Sequence, residues 1–176
     1  MKNFSTRLTT VLAIIVVTVG LDQWTKKLAV DKLQNAADQE IFGELFRLTF
    51  AKNRGAFLSL GSELSEGLRS VLLNWMPAAL LVALFIYLLR DKQINKWQIF
   101  GLACIVGGGL SNIVDRILFG YVVDFMHMKA GSLQTGIFNI ADVAIMIGMG
   151  IMLRYAFQRP EPIKEETDTT EEPAEA

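Results

Sequence analysis

The sequence predicts an α-helical membrane protein: four transmembrane helices, with a small β-element and a short helix on the outer side. Three observations predict it. The 176-residue chain is 52% hydrophobic, and its 17 basic and 18 acidic residues gather in short patches between long uncharged runs. Four of those runs approach the ~20 residues that a helix needs to cross a bilayer. Short flanks rich in Lys and Arg recur at alternate span ends, the bias of cytoplasmic loops. One membrane domain over 1–159 and a tail over 160–176 account for the chain. Nothing in the charge pattern reads as a nucleic-acid stripe.

The first run, Leu8 to Leu21, follows Lys2 and Arg7. A basic start before an apolar run also suits a signal peptide, but "DQWTKKL" follows instead of a small-residue cleavage site. The run is therefore read as a retained helix over about 8–27. In the next segment Leu45 to Phe50 alternates apolar and polar residues, which predicts a strand within an outer β-element over about 40–60. Asn53-Arg54-Gly55 reads as a turn, and "GSELSEGLRS" as a short interfacial helix. The second span covers about 70–89, with Pro77 as a candidate kink. The third covers 97–119 and the fourth about 139–157. Trp75, Trp97 and Tyr155 lie near span ends, where amphipathic rings favour the interface.

Lys2 and Arg7, then Arg90, Lys92 and Lys96, then Arg154, Arg159 and Lys164 fall on one side of a four-span chain. That predicts cytoplasmic termini and an outward-facing 1–2 segment and Gly120–Phe138 stretch. The acidic, Pro-containing end after Pro160 predicts a disordered cytoplasmic tail. Cys104 is the single cysteine and His127 the single histidine. No intrachain disulfide can form, and no metal-ligand set is in view, so a metal-free protein is expected.

The chemistry-bearing residues are the polar ones inside apolar surroundings. A central Asp or Arg costs roughly 2.5–3.5 kcal/mol on insertion scales, so each needs a reason to be there. They are Asp22, Asn53 at the rim, Asn74, Asn112, Asp115, Arg116, Asp124, Asn139 and Asp142. Asn112 and Arg116 are four apart and share a helix face. For Asp115 and Arg116 two readings stand side by side: a structural network with Arg116 neutralised by an acid, or part of a site. Gly107 to Gly109 suit close helix packing, and Asn74 reads as an interhelical hydrogen-bonder. Asp142 falls in the first turn of the fourth span, where an acid complements the helix dipole by about 0.3–1 kcal/mol. Asn139 is placed to cap that helix. Asp124 alone reads as a loop residue. If spans 3 and 4 pack antiparallel, however, Asp124 and Asp142 meet near one interface. Two carboxylates in a partly apolar site do not both ionise easily. One base and one acid then stand ready to activate water on an amide. Arg116 or a nearby lysine would oppose the upward shift.

Five ordered blocks resemble one family: "DQWTK" (Asp22–Lys26), "NRGAF" (Asn53–Phe57), "GGLSNIVDR" (Gly108–Arg116), "GYVVDF" (Gly120–Phe125) and "FNIAD" (Phe138–Asp142). Set between four spans, they resemble the bacterial lipoprotein signal peptidases, the type II signal peptidases. The resemblance implies an intramembrane aspartyl endopeptidase that cuts diacylglyceryl-modified prolipoproteins before the lipidated cysteine. It implies a catalytic pair at Asp124 and Asp142. It places supporting or substrate-binding roles at Asp22, Asn53, Gly55, Asn112, Arg116 and Asn139. It also implies four helices with an extracytoplasmic β-cradle and short outer helix, an inner-membrane location, and a monomer among membrane lipids with no metal or organic cofactor. Phe57 stands where the family often has a second small residue, a difference that bears on rim contacts and not on the chemistry.

Two other classes keep such residues. A proton-coupled carrier also holds intramembrane Asp, Asn and Arg, although four spans without an internal repeat are few for one. An inactive relative would bind lipidated peptides without cutting, yet both aspartates are present.

Overall fold

The computed structural model describes residues 3–43, 45–55 and 65–157. Phe57 and the acidic tail lie outside them. In order come α1 (Phe4–Leu33), β1 (Gln39–Glu40), β2 (Phe46–Asn53), α2 (Glu66–Ser70), a π turn (Val71–Trp75), α3 (Met76–Arg90), α4 (Lys96–Phe119), β3 (Val122–Ala130), β4 (Leu133–Gln134) and α5 (Ile140–Ala156).

Helix α1 is amphipathic in reverse. Its buried residues are Arg7, Val11, Ile15, Thr18, Asp22, Lys26, Ala29 and Leu33, spaced three and four apart on one face. Leu12, Val16, Val17, Leu21 and Trp24 are exposed, as suits a face turned to lipid. The helix has 30 residues, about 45 Å at 1.5 Å per residue. It outruns the predicted 8–27 because Asp22 and Lys26 point inward and pair, and because Ala29 and Leu33 continue the buried face beyond them.

The second long helix also differs from prediction. α2, the π turn and α3 form one continuous helix, Glu66–Arg90. The predicted interfacial helix is thus, over 66–70, the first turn of this span, and 61–64 lie outside the described residues. Pro77 has no N–H and crowds the carbonyl four residues back. The widened turn at Val71–Trp75 absorbs that conflict within the helix. Among the described residues, Asn74 finds its partner on its own helix: its Nδ2 donates to Ser70 Oγ at 3.5 Å.

Helices α4 and α5 start as their sequences dictate. Asn95 and Gln98 form a capping box at the start of α4, and Asn139 and Asp142 form one at the start of α5. Each satisfies amides that a helix N-terminus leaves open. α4 ends at Gly120 in the left-handed conformation (φ +76°), which glycine adopts without penalty. Phe4–Leu33, Glu66–Arg90 and Lys96–Phe119 are each long and apolar enough to cross a membrane. This is a multi-pass membrane protein. α5 is shorter, at 17 residues, or about 26 Å.

Three consecutive glycines let three helices dock on α4. Successive residues point about 100° apart around a helix. A Cβ on Gly107 would meet Thr18 of α1, one on Gly108 the Ala141 carbonyl of α5, and one on Gly109 Leu81 of α3. Gly101 and Gly148 bring α4 and α5 together in the same way further along. Backbone cannot yield as a side-chain tip can. Gly108→Ala is therefore expected to destabilise by about 1–3 kcal/mol, the usual cost of overpacking, and Gly109→Ala by less. Thermal unfolding in detergent would compare them, and equal midpoints would refute the close approach.

The strands form one antiparallel sheet in the order β1-β2-β3-β4. Phe46, Arg47 and Leu48 oppose Met128, His127 and Met126; beyond an irregularity, Ala51, Lys52 and Asn53 oppose Asp124, Val123 and Val122. One extra residue in β2 thus shifts the register. Residues 122–126 are buried, so Asp124 belongs to an inner strand and not to a solvated loop. One apolar core joins α1, α3 and α4 around Val11, Leu88 and Ile99. Another joins the end of α1 to the sheet around Leu33, Val123 and Phe125.

Candidate active site

The sequence places a carboxylate or amide on each element that meets at the start of α5, and a continuous polar network joins them. On β3, Asp124 is 2% exposed. Its Oδ1 accepts from Asn139 Nδ2 at 2.7 Å and its Oδ2 from Asn53 Nδ2 at 2.9 Å. On α5, Asp142 accepts from the Asn139 backbone N–H at 3.1 Å through Oδ2, and from Asn112 Nδ2 at 2.9 Å through Oδ1. Asn139 thus touches both aspartates, and its Oδ1 accepts from the Asp142 N–H at 3.0 Å. The same Nδ2 also lies 3.2 Å from Asn112 Oδ1. The acid at the helix start is accordingly a cap and a neighbour of a second carboxylate at once.

Burial pushes the Asp124 carboxyl up, to about 6, because the ionised form loses water. The Asn53 bond opposes the rise, the Asp142 charge adds to it, and the Asn139 bond and the Lys26 charge oppose it.

The turn predicted at Asn53–Gly55 is built: Gly55 N–H donates to Asn53 Oδ1 at 2.9 Å. Arg116 holds that turn from α4, its Nη2 donating to the Gly55 carbonyl at 2.8 Å. Arg116 is not neutralised by Asp115, since neighbours on a helix point in different directions. Asp115 turns instead to α1, where it meets Lys26 Nζ at 2.7 Å and accepts from Gln23 Nε2 at 2.7 Å.

Asp22 caps α5 from α1. Its Oδ1 accepts from the Ala141 N–H at 2.8 Å, and its Oδ2 accepts from Ser111 Oγ at 2.7 Å and pairs with Lys26 at 2.6 Å. The structure brings Asp22, Asn53, Gly55, Asn112, Arg116, Asp124, Asn139 and Asp142 into one network. The sequence reading does not single out Gln23, Lys26 or Ser111. The available signal is Lys26 four residues after Asp22 in an apolar helix, the spacing of an ion pair.

Beside the network lies a cavity of about 460 Å³ with mostly apolar walls. Leu73 and Pro77 line it from one side, and Ile113, Ile145, Met146 and Met149 from α4 and α5; Asn112, Arg116 and Asp142 are its polar residues.

A helical bundle with an antiparallel sheet folded over a buried carboxylate–amide network defines a membrane protein with a built polar centre. Two bacterial membrane enzymes solved by the in meso method share the fold. One, at 2.3 Å resolution, has a TM-score of 0.74 and 25% identity, with 95% of each chain covered. The other, at 1.9 Å, has a TM-score of 0.76 and 26% identity, covering 86% of this chain and 95% of that one. The peptidase A8 family model, described as signal peptidase (SPase) II, matches residues 14–158. The lipoprotein signal peptidase of Borrelia duttonii is 33% identical over 155 residues, covering 85% of this chain and 90% of that protein. That of Psychromonas ingrahamii is 34% identical over 151 residues, covering 84% and 85%. The chain belongs to the signal peptidase II family and is a peptidase.

Proposed function

We propose that the protein is an intramembrane aspartyl endopeptidase that removes the signal peptide from diacylglyceryl-modified prolipoproteins, cutting before the lipidated cysteine. The observation that carries this reading is the pair Asp124 and Asp142, linked through Asn139, with Asp142 lining an apolar cavity. The names of the relatives supply the prolipoprotein substrate. The acyl chains stay in the bilayer while the cavity takes the apolar part of the signal peptide.

One carboxylate of the pair accepts a proton from water as the oxygen attacks the scissile carbonyl. The other, protonated, donates to the carbonyl oxygen. The first carboxyl then passes its proton to the departing amine as the C–N bond breaks. The second carboxylate takes a proton back from a hydroxyl of the tetrahedral diol, which leaves a carboxylic acid product and restores the singly protonated pair. Asn112, Asn139 and Asn53 hold the carboxyls without adding charge. Arg116 holds the Asn53–Gly55 turn against the site. Asp22 fixes the start of α5. Residues 1–159 form this peptidase unit, with α5 as a fourth span and both termini cytoplasmic, so the pair lies near the outer face of the bacterial inner membrane. The enzyme works as a monomer without a metal or organic cofactor.

Cleavage of a diacylglyceryl-modified prolipoprotein by the purified protein, read by mass spectrometry, tests the reading. A product beginning at the lipidated cysteine is expected; an inert protein would sink it. The pH profile adds a sign. Asp124 is protonated below about 6 and ionised above it. The singly protonated pair is therefore lost as pH rises through that value, and kcat/KM falls on its alkaline side with a midpoint near there. A profile flat between pH 5 and about 8 would contradict a shared proton.

A further inference from the structure

We propose that Lys26 is a positioning residue that fixes the direction in which the Asn112 amide faces the aspartate pair. This rests on the peptidase reading. Lys26 is 3% exposed, and its ammonium group has three N–H donors. Its Nζ forms ion pairs with Asp22 Oδ2 at 2.6 Å and Asp115 Oδ2 at 2.7 Å and donates a hydrogen bond to Asn112 Oδ1 at 2.9 Å. The two carboxylates anchor the cation. The hydrogen bond has a different consequence.

An amide oxygen carries two lone pairs. For Asn112 one faces Lys26 Nζ and the other faces Asn139 Nδ2 at 3.2 Å. A flipped amide would aim its NH₂ group at a cation and at another NH₂ group. With Oδ1 committed, Nδ2 has to point the other way, where it donates to Asp142 Oδ1 at 2.9 Å. The sense of the next link follows. Asn139 Oδ1 accepts from the Asp142 N–H, which leaves its Nδ2 to donate to Asp124 and Asn112. The buried cation on α1 and the Asp142 N–H on α5 thus together set the polarity of hydrogen bonds that run through both amides to both carboxyls. Asn112 and Asn139 present Nδ2 to the carboxylates of Asp142 and Asp124, while their oxygens accept from Lys26 and from the Asp142 backbone N–H.

This predicts a catalytic effect separable from a stabilising one. The charge-conserving double variant Lys26→Met/Asp115→Asn removes one cation and one anion together, so the net charge of the buried cluster is unchanged. The amide then keeps Asn139 Nδ2 as the one donor to its oxygen and is held less firmly. Turnover of diacylglyceryl-modified prolipoprotein by the folded variant is expected to fall about tenfold or more in kcat, as for other small misplacements of reacting groups, with KM within about twofold. Asp115→Asn alone leaves the Lys26–Asn112 contact in place and is expected to keep kcat within about twofold. Should the double variant not accumulate as folded protein, Lys26→Arg decides. It keeps the charge, but its planar fork does not reproduce three divergent donors, so the same loss in kcat is expected.

Wild-type kcat in the folded double variant, or in Lys26→Arg where the double variant does not fold, would overturn the proposal. So would an equal loss in Asp115→Asn, because integrity of the ion cluster and not the bond to Asn112 would then set the rate. An inert wild type would instead refute the peptidase reading, so the two failures are distinguishable.

Discussion

Asp142→Asn should cut kcat by about 10³-fold or more, within the span that positioned acid–base groups contribute, while the protein stays folded. The substitution separates the two jobs of this residue. As a helix cap, Asp142 needs one oxygen to accept the Asn139 backbone N–H, and asparagine supplies one. As half of a carboxyl pair it needs to take up and release a proton, and asparagine does neither. The expected result is thus a thermal midpoint close to wild type and turnover close to nil. Asp124→Asn should behave alike, because a shared proton needs both partners. Cleavage of a diacylglyceryl-modified prolipoprotein, measured beside thermal unfolding in the same detergent, checks both. If Asp142→Asn kept a tenth of the turnover, the residue would be a cap and no more.

Asp22→Ala should lower stability by about 3–5 kcal/mol, the range for breaking a buried ion pair by removing one partner. Asp22 is fully buried, and three groups depend on it: the Lys26 ammonium, the Ser111 hydroxyl and the Ala141 N–H. Alanine leaves the amide without its carboxylate partner and the lysine with Asp115 as its one remaining carboxylate. Turnover should fall as well, because Ala141 is adjacent to Asp142 and the carboxylate holds the start of α5 in place. Chemical unfolding in detergent micelles provides the measurement; a loss below about 1 kcal/mol would mean that the buried pair is not integral to the bundle.

How much of this was legible before the structure differs from element to element. α4 and α5 begin within a residue of their predicted starts, because each opens on an asparagine with a box partner three residues later, a local signal. α1 was harder. Hydropathy stops at the lysines, but Ala29 and Leu33 carry its buried face on to the sheet. The separate outer helix failed because helix signals before and after Ser70 join once a π turn absorbs Pro77. The alternation at Leu45–Phe50 marked β2, but its pairing with β3 joins residues about 70 positions apart, and no local pattern encodes the one-residue register shift. Seven of the eight candidate residues were legible as polar side chains that the apolar runs do not explain; Gly55 was legible through its turn and the family resemblance. Lys26 was not, since a lysine at the end of an apolar run usually reaches the interface. Only the depth of Asp22 and Asp115 makes a buried ammonium group tolerable there.

The bond from Asp22 to the Ala141 amide spans 119 positions of sequence. The first helix carries the acceptor that α5, the last helix among the described residues, needs. During synthesis, α1 through α4 insert while Asp124 and the Asp22–Lys26–Asp115 cluster still lack Asn139 and Asp142. The polar centre is complete only when α5 has left the ribosome and docked. The carboxylate–amide network therefore closes only as α5 docks against α1.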